Sequence, residues 1–269
     1  MADFKEKYGP WAVVAGAAEG LGRSFCISLA QRKMNIIMID FKEGSLKELS
    51  QKISSDYGIE VLPVFLDLIR DDAWETIADI SDKYDCGLLV YNAAYSKVKP
   101  FLEQSHNDLD SHIFINNRTL THLIHCFTGR WKNRRQGGIL VMASLAGLFG
   151  TGFVPTYSAS KAYCLTLAEA LHFELKRYNI DILACLAGAT ATPAFLATNP
   201  ARTKFGPSVM NPEIVAEKAL RKLGSKNLYI PGYFNRLSYF FLQRLLPRKV
   251  AAGIVNTTMD KMYGNKNSG

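Results

Sequence analysis

The sequence predicts an α/β protein: a single domain over residues 1–269, built on a doubly wound parallel sheet and ending in a helical extension. Three observations predict this class. Short apolar runs alternate with longer segments in which apolar residues recur at helical spacing. A glycine-rich turn directly follows the first apolar run, and no repeat or flexible linker divides the chain. Strands that alternate with helices in this way form right-handed βαβ units and a parallel sheet.

The predicted elements follow one another in regular order. Strand 36–40 (IIMID) is short and apolar up to its last residue, Asp40, which is typical of a parallel strand buried on both faces. The other predicted strands are 11–16, 60–66, 87–91, 138–143 and 180–186, and the predicted helices are 21–33, 44–56, 71–83, 106–130 and 157–178. We expect a cofactor-binding and catalytic core at 11–193, a substrate lid with the last helix–strand unit at 194–231, and an amphipathic extension at 232–269.

Composition narrows the class of protein. Apolar residues make up 48% of the chain and charged residues 21%, which is ordinary for a soluble enzyme. The sequence has no apolar run long enough to span a membrane and no apolar segment of a secretory signal, so we expect a cytoplasmic protein. The five cysteines are scattered without metal-ligand spacing, so we expect reduced thiols and no metal site.

The positive charge is concentrated at the C-terminal end. Residues 201–269 hold 12 Lys and Arg against 3 Asp and Glu, whereas residues 1–200 hold 20 against 21. Such an excess is compatible with an anionic substrate, a membrane surface, nucleic acid or a simple solvated face. The sequence contains no recognisable nucleic-acid-binding module, so we expect no nucleic acid partner.

The glycine-rich turn AGAAEGLG predicts a dinucleotide site of the Rossmann type. Gly16, Gly20 and Gly22 allow the backbone to approach a pyrophosphate at the start of a helix. Asp40 ends the second strand, where a carboxylate binds ribose hydroxyls and repels a 2′-phosphate. Together with Glu19 in the turn, Asp40 favours NAD(H) over NADP(H), whereas the nearby basic residue Lys42 would favour NADP(H). A glycine-rich turn of another nucleotide-binding fold is the alternative.

The segment PTYSASKAY places Tyr157 and Lys161 one helical turn apart, on the same face. An ammonium beside a phenol favours the phenolate, which is one way to build a proton donor or acceptor for alcohol and ketone chemistry. Taken alone, such a pair is more often ordinary helix surface.

The ordered motifs resemble those of the short-chain dehydrogenase/reductase family over residues 11–193. They are the turn AGAAEGLG, FLDL with Asp67, YNAA at 91–94, INN at 115–117, GGILVMAS ending at Ser144, YSASK, and LAGATAT at 186–192. The sequence departs from the family pattern at Tyr91 for Asn, Ala94 for Gly, Ala187 for Pro and Thr190 for Val. The resemblance implies an NAD(P)-dependent oxidoreductase.

The resemblance also implies roles for individual residues. Tyr157 exchanges a proton with the substrate oxygen, Lys161 binds the nicotinamide ribose, and Ser144 donates a hydrogen bond to that oxygen. Asn116 bends its helix and holds a water that links Lys161 to solvent. The expected cofactor-binding residues are Gly16, Glu19, Gly20, Leu21, Gly22, Asp40, Asp67, Leu68, Asn92, Ala93, Tyr157, Lys161, Gly188, Thr190 and Thr192.

The substrate loops carry mainly apolar residues. Tyr95, Phe149, Phe153 and Phe195 are the expected substrate contacts and favour an apolar secondary alcohol or ketone of steroid-like, fatty or ketoacyl type. The segment 192–207 is expected to form a mobile lid, in which Arg202 and Lys204 either bind a substrate anion or face solvent.

The segment 232–251 (GYFNRLSYFFLQRLLPRKVA) is aromatic, basic and amphipathic. It can pack over the substrate pocket, against a second subunit or peripherally on an anionic membrane. The family resemblance implies a homodimer or homotetramer through helices 106–130 and 157–178. The alternative to an enzyme is a dinucleotide-binding sensor or scaffold protein of the same fold, without turnover.

Overall fold

Seven parallel strands form one sheet in the order β3-β2-β1-β4-β5-β6-β7. The structure is a computed structural model that describes residues 4–201 and 206–264. The strands are β1 Trp11–Ala15, β2 Asn35–Asp40, β3 Val61–Phe65, β4 Cys86–Tyr91, β5 Gly137–Ser144, β6 Ile180–Ala187 and β7 Leu228–Tyr229. This doubly wound Rossmann-type order confirms the predicted fold class.

Helices cover both faces of the sheet. They are α1 Phe4–Tyr8, α2 Gly20–Gln31, α3 Glu43–Tyr57, α4 Ala73–Asp82, α5 His106–Ile113, α6 Thr119–Arg134, α7 Pro155–Leu175, α8 Pro193–Ala197, α9 Pro212–Lys222, α10 Tyr233–Phe240 and α11 Arg248–Tyr263. Helices α2, α3 and α9 pack on one face, and α4, α6 and α7 on the other. The strands and helices predicted up to residue 186 are present, and α9 and β7 lie within 194–231, where the last helix–strand unit was expected. Helices α1 and α8 were not predicted.

Two apolar layers hold these helices to the sheet. On one side Phe25 and Leu29 of α2 are fully buried, and on the other side Phe127 and Trp131 of α6 are each 1% exposed. Each such side chain contributes about 1.5–3 kcal/mol to folding by its burial. The central strands therefore consist almost entirely of buried apolar residues, as the run IIMID predicted.

The strand order reverses between β1 and β4. Strand β1 pairs with β2 on one side and with β4 on the other, so the connections from β1 and β4 leave the sheet in opposite directions. A crevice opens at the carboxyl ends of the strands at such a point, and ligands of open α/β sheets bind there.

The C-terminal extension packs over the loops at this edge. The Asn256 side chain donates to the Gly150 carbonyl at 2.9 Å and accepts the Gly152 amide at 2.7 Å. The Tyr263 hydroxyl lies 3.1 Å from Thr198 Oγ1 in the predicted lid. Within residues 232–251, Gln243 and Arg248 each donate to the Leu148 carbonyl at 3.4 Å. Whether this segment covers the substrate pocket, a second subunit or a membrane stays a prediction. In the described ranges no helix has both the length and the apolarity needed to cross a membrane.

Candidate active site

Lys161 lies inside the protein beside Tyr157. Its side chain is 3% exposed, and its ammonium lies 5.7 Å from the centroid of the Tyr157 ring. Nζ donates one hydrogen bond, to the Met142 carbonyl of β5 at 2.7 Å. Within the described chain no carboxylate pairs with this ammonium. Because an ammonium has three donors, two remain for the hydroxyls of a ligand.

Ser144 and Tyr157 supply the two hydroxyls of the expected catalytic group. Ser144 ends β5, and its Oγ accepts the Ala146 amide at 3.2 Å. Because Oγ acts as the acceptor there, its own hydrogen is available for a substrate oxygen. Helix α7 begins at Pro155, and proline is favoured in the first turn of a helix. Tyr157 therefore also lies in this first turn, which follows the loop after β5.

Asn116 lies in a π-helical turn, Phe114–Arg118, between α5 and α6. Its side chain is fully buried, accepts the Tyr95 amide at 2.7 Å, and donates to the Tyr95 carbonyl at 3.0 Å and to Ser160 Oγ at 2.9 Å. Ser160 Oγ in turn donates to the Tyr157 carbonyl at 2.8 Å. Asn116 thus fastens the loop after β4 to the start of α7. The π-helical turn lies where the bend was expected. The bend and the role in holding a water stay predictions.

Tyr91 is a contributor that sequence reasoning missed. The side chain is 2% exposed, and its hydroxyl donates to the Ile115 carbonyl in the π-helical turn, next to Asn116. A π turn breaks the regular hydrogen-bond ladder, and this phenol satisfies one carbonyl of that turn. The signal was the departure from the family pattern at YNAA, where Tyr91 replaces an Asn.

The glycine turn forms an open cradle at the start of α2. Gly16 and Gly20 have φ angles of +75° and +54°, and no side chain caps the helix start in the described structure. The Asn92 amide donates to the Gly16 carbonyl at 2.9 Å, and a Cβ on Gly16 would lie 2.7 Å from Cα of Ala93. Backbone amides at an uncapped helix start fit a phosphate. The residues present therefore fit a dinucleotide.

Two carboxylates and one ammonium surround the end of β2. Asp40 accepts the Ala18 amide at 2.9 Å and the Lys42 amide at 3.1 Å. The Lys42 ammonium is paired with the Glu19 carboxylate at 2.7 Å. The local charge is therefore negative, because Glu19 neutralises the base that sequence reasoning had set against an NAD preference.

The remaining predicted cofactor residues lie on both sides of this cleft. A Cβ on Gly20 would lie 2.9 Å from Cγ2 of Thr192, so the glycine turn and the loop after β6 touch. In that loop Thr190 donates to the Gly188 carbonyl at 3.0 Å. Leu21 and Gly22 lie in the first turn of α2, and Asp67 and Leu68 follow β3, with Leu68 buried and Asp67 exposed.

The predicted substrate residues differ in their surroundings. Tyr95 donates its hydroxyl to Asp108, and burial together with this bond raises the pKa of Tyr95 to about 12. Phe149 is only 5% exposed and lies under the Arg248 guanidinium, 5.6 Å from its ring centroid. Its ring therefore belongs to the core and to the contact with α11, and a substrate role for it stays a prediction.

Phe153 and Phe195 are both half-buried. Phe153 has a φ of +62° and its ring centroid lies 6.3 Å from that of Tyr263, while Phe195 belongs to α8. Arg202 and Lys204 lie outside the described residues. All five cysteines are free thiols, and no group of three His, Cys, Asp or Glu among the described residues could hold a metal.

Comparison with known proteins defines the class. A family model described as short chain dehydrogenase matches residues 10–203, and the chain belongs to this family. It is therefore an NAD(P)-binding oxidoreductase that acts on CH–OH groups or the corresponding ketones.

Two named enzymes are similar to this chain over most of its length. A 7beta-hydroxysteroid dehydrogenase of Clostridium sardiniense is 32% identical over 234 residues, which cover 87% of this chain and 90% of that protein. A very-long-chain 3-oxoacyl-CoA reductase of Pyrenophora tritici-repentis is 28% identical over 251 residues, covering 88% and 72%.

Two solved structures resemble this chain over most of its length. A structure reported for 7beta-hydroxysteroid dehydrogenase stereoselectivity has a TM-score of 0.87 at 25% identity and covers 94% of this chain and 99% of that one. A short-chain dehydrogenase from Sphingobium yanoikuyae in complex with NADPH has a TM-score of 0.78 at 22% identity, covering 91% and 94%, which is a likeness of fold.

Proposed function

We propose that this protein transfers a hydride between a nicotinamide cofactor and an apolar secondary alcohol or ketone of steroid-like, fatty or ketoacyl type. The observation that carries the proposal is the buried Lys161, which lies beside Tyr157 with no carboxylate partner in the described structure. A buried ammonium is costly unless a bound group compensates for it.

Each side chain of the site has a step in the reaction. A bound nicotinamide supplies or accepts the hydride. Ser144 Oγ donates a hydrogen bond to the substrate oxygen and stabilises the charge that develops there. Tyr157 Oη gives a proton to that oxygen or takes one from it, and the Lys161 ammonium favours the phenolate by its charge. Asn116 keeps the loop after β4 in register with α7 through the bonds to Tyr95 and Ser160.

The preferred cofactor in this proposal is NAD(H) rather than NADP(H). The support is local: two backbone amides hold the Asp40 carboxylate at the end of β2, and the Glu19 carboxylate pairs with the ammonium of Lys42. A 2′-phosphate would meet net negative charge there. The NADPH complex of the Sphingobium enzyme is a property of that protein.

The apolar substrate is supported by two kinds of observation. The half-buried side chains of Tyr95, Phe153 and Phe195 are aromatic. The relatives carry the names of a hydroxysteroid dehydrogenase and a very-long-chain oxoacyl-CoA reductase, both of which imply large apolar substrates.

A screen tests the proposal. The purified chain is mixed with NADH or NADPH and a panel of steroid and long-chain ketones, and with NAD⁺ or NADP⁺ and the matching alcohols. We expect turnover of at least one bulky apolar substrate, with small polar ketones as the control. Cofactor binding without turnover across the panel would favour the sensor or scaffold alternative, and failure to bind either cofactor would contradict both.

Homodimeric or homotetrameric assembly, cytoplasmic location, a mobile lid at 192–207 and the absence of metal and nucleic acid stay predictions. For assembly, the relevant helix α7 exposes 75% of Phe173 and 42% of Tyr163. Light scattering of the purified chain measures the oligomeric state directly.

A further inference from the structure

The outer side of the C-terminal extension exposes a dense group of large apolar side chains. We call this group the aromatic face. It consists of Tyr233, Phe234, Leu237, Phe240, Phe241 and Leu245, which are 67%, 68%, 40%, 50%, 47% and 55% exposed. These six residues lie within 13 positions of the sequence, on α10 and the π-helical turn Phe241–Leu245 that follows it. Exposed apolar patches of this kind mark interaction sites.

The inner side of the same segment is anchored to the domain. Asn235 is 6% exposed and donates to the Pro231 carbonyl at 2.9 Å. Tyr239, Leu242 and Leu246 pack against the core on the side of α4, α6 and α7. The aromatic face is therefore held in place from beneath, and its exposure does not result from a loose segment.

The charges around the aromatic face have one sign. Arg236, Arg244, Arg248 and Lys249 lie within 232–251, and this stretch contains no Asp or Glu. None of the four makes an ion pair with a described residue. Aromatic and aliphatic side chains flanked by basic side chains without a carboxylate partner are complementary to an anionic lipid surface.

The same charges disfavour a second copy of this chain as the occupant. In a two-fold symmetric contact the aromatic face meets itself, so four basic side chains would be set against the same four. Like charges brought together at an interface are unfavourable, whereas acidic lipid headgroups would neutralise them.

We propose that the aromatic face docks on an anionic lipid bilayer, lying in the interfacial plane without crossing it. The docked segment is continuous with α11, which contacts the loop of Phe153 and the lid residue Thr198 through Tyr263. Docking would therefore bring the substrate side of the domain close to the bilayer, where an apolar alcohol or ketone is dissolved. This delivery role rests on the proposed function, whereas the lipid contact itself does not.

Vesicle co-sedimentation of the full chain tests the proposal. We expect binding to vesicles of phosphatidylcholine with phosphatidylserine, at least tenfold weaker binding to pure phosphatidylcholine, and release as salt is raised. The variant Phe234→Ser/Phe240→Ser/Phe241→Ser should lose at least tenfold in partitioning, and Arg236→Gln/Arg244→Gln should lose binding to the anionic vesicles selectively. Ile214→Ser, which removes an apolar side chain that is 47% exposed on α9, is the matched control.

Turnover of a freely soluble apolar ketone and the urea unfolding midpoint are measured on the same variants. Retained turnover with lost vesicle binding separates the lipid contact from catalysis and from folding. Equal binding of wild type and the triple Ser variant, or no binding to either kind of vesicle, would overturn the proposal. An oligomer that the triple Ser variant dissociates, without vesicle binding by wild type, would assign the face to a subunit contact instead.

Discussion

At the scale of residues, the candidate site is marked by Lys161, whose burial is not explained by its partners among the described residues. The Lys161 ammonium is 3% exposed and bonds one backbone carbonyl, where an apolar side chain would fit the interior better. Such local violations of packing rules are expected at functional positions. Asn116 and Tyr91 differ from Lys161, because their polar groups are satisfied by protein partners and hold neighbouring loops in place.

In the proposed function, single carboxylates set the preference for NAD(H). Asp40→Ala and Glu19→Gln should each shift the ratio of NADH to NADPH affinity toward NADPH, roughly tenfold or more, because a charge-assisted hydrogen bond contributes about 1.5–3 kcal/mol. Glu19→Gln also releases the Lys42 ammonium, now 2.7 Å from the carboxylate, to meet a 2′-phosphate. Fluorescence titration with both cofactors measures the ratio. Glu48→Gln, an exposed change on α3, is the control, and an unchanged ratio in both test variants would refute the NAD assignment.

Tyr91→Phe removes the hydroxyl that bonds the Ile115 carbonyl. Because the group is buried, we expect a loss of about 1–3 kcal/mol in the free energy of unfolding, the usual effect of leaving a buried polar group unpaired. Urea denaturation measures this change. Tyr163→Phe is the matched control, since its hydroxyl bonds Thr121 Oγ1 at an exposed site. Equal midpoints for wild type and Tyr91→Phe would show that the bond does not stabilise the π-helical turn.

At the scale of elements, the sequence was informative where a pattern is local. The alternation of apolar runs and helical periods predicted β1 to β6 and the helices between them, and the YSASK spacing located Tyr157 and Lys161 on one helix. The predicted helix 106–130 proved to be α5, a π turn and α6, because hydrogen bonds from Tyr91 and Asn116 stabilise the irregular turn and periodicity does not record them.

Contacts between residues far apart in the sequence could not be predicted, because sequence periodicity does not record them either. Tyr8 of α1 is 1% exposed and donates to Asp181, 173 positions away, at 2.8 Å. Nothing in the first eleven residues signals this partner. The Phe149 contact with Arg248 is similar, since a loop aromatic looks like a pocket residue until the chain that covers it is known.

Helices α2 and α9 are joined by a two-point ion pair whose contribution depends on pH. Glu217 accepts two hydrogen bonds from Arg32, at 2.7 and 2.8 Å, and these bonds, with a further one from Arg221, lower its pKa from 4.5 to about 2. Since the folded-state pKa is depressed, the stabilisation is complete above pH 4.5 and is lost as the pH falls toward 2.

Glu217→Gln should therefore lower the free energy of unfolding by about 1–2 kcal/mol at neutral pH, as expected for partly exposed charged hydrogen bonds. The difference from wild type should shrink as the pH falls through that window. Denaturation over a pH series measures the difference, with Glu48→Gln as the control. A difference that stays constant with pH would mean that the pair does not act through its charge.

At the scale of the whole molecule, the fold assigns separate regions to separate tasks. The sheet places the glycine turn and the Ser144–Tyr157–Lys161 group at one edge, where the strand order reverses. The C-terminal extension, where most of the unbalanced positive charge lies, packs beside that edge and bonds the loop at Gly150 and Gly152. The expected cofactor and substrate residues and the proposed lipid contact therefore lie toward one side of the protein.

The central claim is that this arrangement carries proton exchange at a substrate oxygen, and the most direct test is the kinetics of Tyr157→Phe with an apolar ketone and NADH. We predict a fall in kcat of about 10²–10⁴-fold, the usual contribution of a general acid, with NADH affinity unchanged. Tyr163→Phe on the same helix should retain wild-type rates. Turnover by Tyr157→Phe at the wild-type rate would contradict the account.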